Sequence, residues 1–199
     1  TISVADNGKV YGEDDPTLAD ATMSGQITGE LTAVALGVTR EAGEDVGTYT
    51  ISTGLTKAGL EATYTDYTFT VGTGTFTITK ADADDLGLSA TDYSDEYDAN
   101  EHSISASATV TDGTTLYYTT TAPTEGEDGI LDYSVITDWS TTNPAYTHVA
   151  ETPVTVYVKA ENSNYETAYA SATVTIDRKA VTISVADNGK VYGEDDPTL

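Results

Sequence analysis

The chain has no cysteine, which excludes disulfides, thiolate metal sites and cysteine nucleophiles together. Basic side chains are scarce, with 8 Lys and Arg against 33 Asp and Glu, for a formal net charge of −25. Such a balance repels phosphate backbones and argues against nucleic acid as a partner. No apolar run approaches the roughly 20 residues a membrane helix needs, so no membrane insertion is expected of these residues. His102 and His148 are the only histidines. They lie far apart without the further ligands a zinc site requires, and are expected to be exposed or packed on strands. Gly-x-Ser-x-Gly is absent and neither histidine stands in a triad context, so nucleophilic hydrolysis has no evident carrier. Carboxylate pairs suited to glycoside hydrolysis are available, but units this small rarely form the cleft that chemistry needs.

The chain does contain an exact repeat. Residues Thr1 to Leu18, TISVADNGKVYGEDDPTL, recur without substitution from Thr182 to Leu199, 181 positions later. The pattern reads as one full period of a tandem array followed by the start of the next. Repetition of this kind supplies length or valency more often than a unique active site.

Period-two alternation dominates between the repeats. TYTIST from Thr48, YTFTV from Tyr67, GTFTITK from Gly74, TVYVKA from Thr155 and ATVTI from Ala172 each place apolar residues on one face. They read as antiparallel strands with one wet face. Asn7-Gly8, Asp112-Gly113 and Asp128-Gly129 are expected to be turns. No convincing helical period occurs, although Leu55 to Thr65 or Pro16 to Ser24 could hold a short helical turn. Strong acidity alone would allow disorder, but 14 Tyr and abundant Thr, Val and Ile favour folded strands.

Two units are expected, 1–80 and 81–180, with 181–199 as the incomplete start of a third. Each full unit closes alike: TYTIST, Asp66-Tyr67 and GTFTITK in the first, and TVYVKA, Asn164-Tyr165 and ATVTIDRK in the second. The expected fold class is all-β, as small tandem β-sandwich modules arrayed end to end. An immunoglobulin-like sandwich and a β-grasp-like sheet with a short helix both accommodate the strands.

Lys9-Val10-Tyr11-Gly12 reads as a strand ending at a glycine turn, with Glu13, Asp14 and Asp15 in a wet loop before Pro16. Arg40-Glu41-Ala42-Gly43 followed by Val46-Gly47-Thr48-Tyr49 reads as strand, turn and strand. On these residues, with Tyr67 and the closing GTFTITK, the first unit resembles the MBG repeat of the YGX type found in large bacterial surface proteins. The second resembles a companion repeat of such proteins through Tyr97-Asp98, His102, Val154 to Lys159 and Asn164-Tyr165, with Ala99 where a glycine often follows Tyr-Asp. The resemblance implies an all-β module of an extracellular adhesin or stalk at a bacterial surface, and it implies no catalytic residues. The structural positions it marks are Tyr11, Gly12, Pro16, Gly43, Gly47, Tyr49, Tyr67 and Tyr165.

Calcium is the cofactor candidate, at Asp82, Asp84 and Asp85 where the units should meet; a solvated acidic face is the alternative. Trp139, with Tyr117 and Tyr118 near it in sequence, could form a sugar-binding platform or pack over a β core. Lys9, Lys57, Lys80 and Lys159 with Asn7, Asn100, Asn162 and Asn164 supply reactants for isopeptide bonds, but no spacing selects a pair. The functional expectation is a non-enzymatic spacer projecting a distal region from the cell. Its partners would be neighbouring repeats, other copies in a fibre, or a host or environmental glycan or protein. The alternative is a repeated low-affinity carbohydrate- or ligand-binding module acting by avidity. Residues 182–199 are expected to be poorly ordered or to pair with another chain.

Overall fold

The computed structural model describes residues 1–127 and 129–198. Asp128, and with it the expected Asp128-Gly129 turn, lies outside the described residues. The first unit comprises β1 (Ile2–Ser3), β2 (Asn7–Val10), β3 (Thr22–Met23), β4 (Thr39–Arg40), β5 (Gly47–Ser52), α1 (Lys57–Thr63) and β6 (Gly74–Thr79). The second holds β7 (Ser89–Thr91), β8 (Tyr93–Glu96), β9 (Ser105–Ser107), β10 (Thr115–Thr119), β11 (Thr124–Glu125), β12 (Leu131–Asp132), β13 (Val154–Glu161) and β14 (Ala168–Asp177). Short 3₁₀ turns cover Ala83–Leu86 and Val149–Glu151.

The units share a topology. In the first, a four-stranded sheet runs β2-β6-β5-β4 beside the pair β1-β3; in the second, the order is β8-β14-β13-β10 beside β7-β9. The second strand of each unit runs parallel to its last, and the remaining pairs in both large sheets are antiparallel. The chain thus begins in a small sheet and crosses to the edge of the large one. This is an immunoglobulin-like sandwich, with β4-β5-β6 and β10-β13-β14 in the places of strands C, F and G. The backbone matches closely at both ends. Tyr11 N donates to Thr79 O at 2.9 Å and Tyr97 N to Asp177 O at 2.9 Å. Ile2 bridges Val71, and Ala81 bridges Tyr165, both in parallel sense.

Burial follows the pleat. Along β6 the residues alternate buried and exposed, with Phe76 and Ile78 inside. They pack with Ile51, Val4 and Val38, while Ile2, Ala21, Leu31, Leu60 and Phe69 fill the other end of the unit. In the second unit Ile104, Val156, Val158, Ala172, Val174 and Ile176 form the core between the sheets. Each core is small and free of charge, as expected of modules that lack disulfides.

Several expectations need correction. Asn7-Gly8 is not a turn but lies within β2. A Cβ on Gly8 would stand 2.5 Å from Thr77 O, so its glycine serves close strand approach rather than a positive φ. Asp112-Gly113 does turn, with Gly113 at φ 68°. YTFTV forms no strand; only Val71 bridges another segment. Phe69 N donates to Glu61 Oε1 at 2.9 Å, and Phe69 O accepts from Lys57 Nζ at 3.1 Å, so side chains of α1 occupy the groups a ladder would use. The helix lies in the Leu55 to Thr65 stretch, capped by Thr56 Oγ1, which accepts from Gly59 N at 3.1 Å. Pro16 to Ser24 instead carries β3. The shared closing dipeptide is also displaced: the bridges make Val71, not Tyr67, the structural equivalent of Tyr165.

Candidate functional site

Most of the residues singled out by their motifs, among them Tyr11, Gly43, Tyr49 and Tyr165, gather at the joint between the two units. Tyr11-Gly12 caps β2, with Gly12 at φ 84°, a conformation in which a side chain is strained. Gly43 allows Tyr49 to fold back over the β4–β5 loop, because a Cβ there would sit 2.1 Å from the Tyr49 ring. The Tyr49 hydroxyl then donates to Asp45 O at 2.7 Å. This is the geometry of a tyrosine corner, a tyrosine near the start of strand F bonded to backbone just upstream. Gly47 opens β5, and the space around its Cβ position is free.

Charge fixes the same loop. Lys9 Nζ reaches Asp15 Oδ1 at 2.8 Å and Glu44 Oε2 at 2.5 Å; Arg40 Nε reaches Asp15 Oδ2 at 2.5 Å, and Arg40 Nη2 also donates to Glu44. Arg40 Nη1 donates to Glu41 O at 2.9 Å and Gly43 O at 2.6 Å, and the guanidinium lies 4.9 Å from the Phe76 ring centroid. The hydrogen bond from Arg40, then that from Lys9, lowers the Asp15 carboxyl to about 2. Arg40 is raised chiefly by Asp15. The four residues form an alternating network that spans β2, β4 and the two loops beside them.

The second unit docks onto this platform. Asn164 Oδ1 accepts from Val46 N at 2.9 Å, and Asn164 Nδ2 donates to Asp45 Oδ1 at 2.9 Å. Both ends of one amide are therefore used across the joint. Tyr165 meets Tyr11 edge to face, with ring centroids 5.3 Å apart. Ala81, nearly fully buried, donates from N to Asn164 O at 3.0 Å and accepts at O from Glu166 N at 2.9 Å. The connecting chain is thereby stitched into the second unit directly after β6. No catalytic constellation arises here; the arrangement fixes one module's orientation on the next.

The remaining sequence candidates lie elsewhere. Asp82 precedes the Ala83–Leu86 turn, and Asp84 and Asp85 lie in its first turn. They do not assemble a cation site, for among the described residues no group of three or more His, Cys, Asp or Glu side chains could hold a metal ion. Tyr117 and Tyr118 alternate across β10. Tyr118 packs on the core, whereas Tyr117 and Trp139 hold Lys159 Nζ at 4.7 and 5.1 Å from their ring centroids. Trp139 is half-buried and tilted 40° to Tyr169, while Tyr133 and Tyr169 stack at 4.0 Å. These rings face one another and a lysine rather than forming one coplanar platform. His102 stacks on Tyr93 at 4.2 Å with Nε2 2.8 Å from Asp98 Oδ1, and this contact is the main cause of the lowered Asp98 pKa. Tyr67 places its hydroxyl between Ile27 N and Glu30, inside the first unit. Pro16 is half-buried in the segment between β2 and β3.

Sequence reasoning missed Asn164 as the clamp and Asp45 with Val46 as its seat. Asn164 and Val46 were marked as members of their motifs, but no local signal pairs them, because the contact spans 118 residues.

Among solved structures the chain is similar to one titled "Sidekick-1 immunoglobulin domains 1-5", at 14% identity with a TM-score of 0.25. The match covers 89% of this chain and 41% of that one, so this chain spans less than half of its length. A search of curated proteins returned no match. Residues 1–77, which contain the Tyr11-Gly12 turn, the tyrosine corner and most of β6, match the family model of the MBG domain (YGX type).

Proposed function

We propose that the chain is a non-enzymatic structural spacer of an extracellular protein at a bacterial surface, whose units stack end to end and project a distal region away from the cell. The observation that carries this reading is the two-ended Asn164 amide contact with Asp45 and Val46, set beside the Tyr11–Tyr165 ring contact. A joint with directional hydrogen bonds and an aromatic contact resists both bending and rotation, whereas modules acting separately need only a linker. A net charge of −25 keeps neighbouring copies apart. Small-angle scattering tests the reading. The chain should scatter as one extended body, and an Asn164→Ala/Asp45→Ala variant, which removes side chains that bond across the joint, should broaden its distance distribution while both units keep their melting behaviour. A parent chain already as flexible as that variant would remove the spacer reading and favour loosely strung binding modules.

A further inference from the structure

The hydrogen bonds that align the two units also align their exits. Ile2 N donates to Thr70 O at 2.8 Å and Ile2 O accepts from Gly72 N at 2.9 Å; Ala81 makes the same pair of bonds with Asn164 and Glu166. Ala81 is therefore the counterpart of Ile2. Thr79 and Asp177 are counterparts too, since each accepts from the tyrosine that follows the parallel edge strand, Tyr11 or Tyr97. One residue, Lys80, separates Thr79 from Ala81. Ile183 holds the place of Ile2 in the exact repeat, and five residues, Arg178 to Thr182, separate it from Asp177. The two chain steps of the first exit reach about 7 Å, whereas the six of the second reach about 20 Å.

The groups that clamp the first joint have no equivalents at the longer exit, on either face. The alignment that sets Tyr165 against Val71 sets Asn164 against Thr70. A unit built like the first thus presents a hydroxyl where the second presents a two-ended amide, and a valine where it presents a ring. On the receiving side, Gly47 pairs with Ile78, and the β13–β14 register carried on to Ile176, the counterpart of Ile78, reaches Thr152. Ala150 and Glu151 therefore stand in the places of Asp45 and Val46. Ala150 offers no carboxylate. Glu151 N is already donated to His148 O at 3.0 Å inside the 3₁₀ turn, whereas Val46 N is given to Asn164 Oδ1. Tyr97 does stand in the place of Tyr11, but its ring stacks on His148 of its own unit at 6.1 Å.

Given the spacer reading and a further unit that opens at Thr182, we propose that the joint following the second unit is a hinge, so that the array consists of rigid two-unit rods articulated at every second joint. Where no directional contact fixes two units, the linker sets their freedom and relative motion is the default. Lys179 Nζ pairs with Glu96 Oε2 at 2.6 Å, which holds the start of the linker on the second unit and puts the bend at Ala180 to Thr182. Rods alternating with hinges give reach along the axis and let the far end sweep sideways. A uniformly clamped array gives reach alone.

Because the chain has no cysteine, introduced pairs carry spin labels at chosen places. Thr50→Cys with Ser171→Cys, both at exposed strand positions, spans the first joint. In the full chain continued after Leu199 by residues 19–80, which completes the third unit, Ser171→Cys with a cysteine at the counterpart of Thr50 spans the second. Dipolar distance measurements should give a distribution across the second joint at least about twice as broad as that across the first. Two equally narrow distributions overturn the hinge and leave the spacer as a straight rod; two equally broad ones overturn the clamped joint and the hinge together. A second variant needs no third unit. Asn164→Thr/Tyr165→Val with Arg-Lys-Ala-Val inserted after Lys80 gives the first joint the linker length and residues of the second, and should broaden the Thr50–Ser171 distribution while both units keep their melting transitions. A distribution as narrow as that of the parent chain overturns the proposal.

Discussion

Asp15 links chemistry to stability at the scale of single residues. Its carboxyl, lowered to about 2 by Arg40 and Lys9, contributes stability that is present above the unfolded carboxylate value near 4 and is lost as pH falls towards 2. Melting the chain between pH 5 and 2 should show the first unit losing stability over that interval, and Asp15→Asn should flatten the loss. Because Asp15 is solvent-exposed, water and salt screen the pair, so the change should be small. Gly43 is the more sensitive position. Gly43→Ala drives a methyl into the Tyr49 ring and should cost about 1–3 kcal/mol in urea unfolding. Tyr49→Phe, which deletes only the hydroxyl bonded to Asp45 O, should cost about 0.5–1.5 kcal/mol.

At the scale of elements, the parallel pairing of β2 with β6 depends on Gly8. Gly8→Val should displace β2 and speed amide exchange at Thr75, Thr77 and Thr79, which face it, while Phe76 and Ile78, which face β5, and the strands β13 and β14 remain protected; uniform protection would show that the strand tolerates the side chain. Phe76→Ala empties the centre of the first core and should destabilise that unit by about 3–5 kcal/mol. The long strands were legible in sequence because their apolar residues recur at every second position. β2 was misread at Asn7-Gly8, where the dipeptide suits a turn but the glycine accommodates a neighbouring backbone. The YTFTV alternation was real but was overridden by Lys57 and Glu61, which bind the backbone of Phe69. Short α1 lies in one of the two stretches where a helical turn was expected, but its seven residues bury only Leu60 and so leave almost no period to separate it from the other.

For the molecule as a whole, the Tyr-Gly and tyrosine-corner motifs of the first unit organise the surface on which the second unit sits. Asn164→Ala should therefore leave both unit stabilities within about 0.5 kcal/mol, as expected of a surface change, yet increase interdomain motion measured by relaxation or scattering. The candidate site was half legible. Tyr11, Gly43, Tyr49 and Tyr165 were marked by motif, but their convergence was not, because nothing in the local pattern says that a turn at residue 12 faces a loop at residue 164. The calcium candidate gains no support from the tertiary structure, since among the described residues no group of three or more His, Cys, Asp or Glu side chains could hold a metal ion. Asp82, Asp84 and Asp85 are close along the chain, but nearness in sequence does not set the direction of side chains around a 3₁₀ turn.

Sequence alone determined that this chain is all-β, strongly acidic, free of disulfides and internally repeated, because composition, alternation and identity are carried by the residues themselves. Its resemblance to the MBG family was likewise legible, because spaced glycines and tyrosines report local backbone requirements. Tertiary structure decided which glycine serves a turn and which a close strand approach, that Val71 is the counterpart of Tyr165, and that an asparagine amide joins the two units. Those outcomes depend on contacts between segments tens to more than a hundred residues apart, where packing and the satisfaction of backbone groups override local preference.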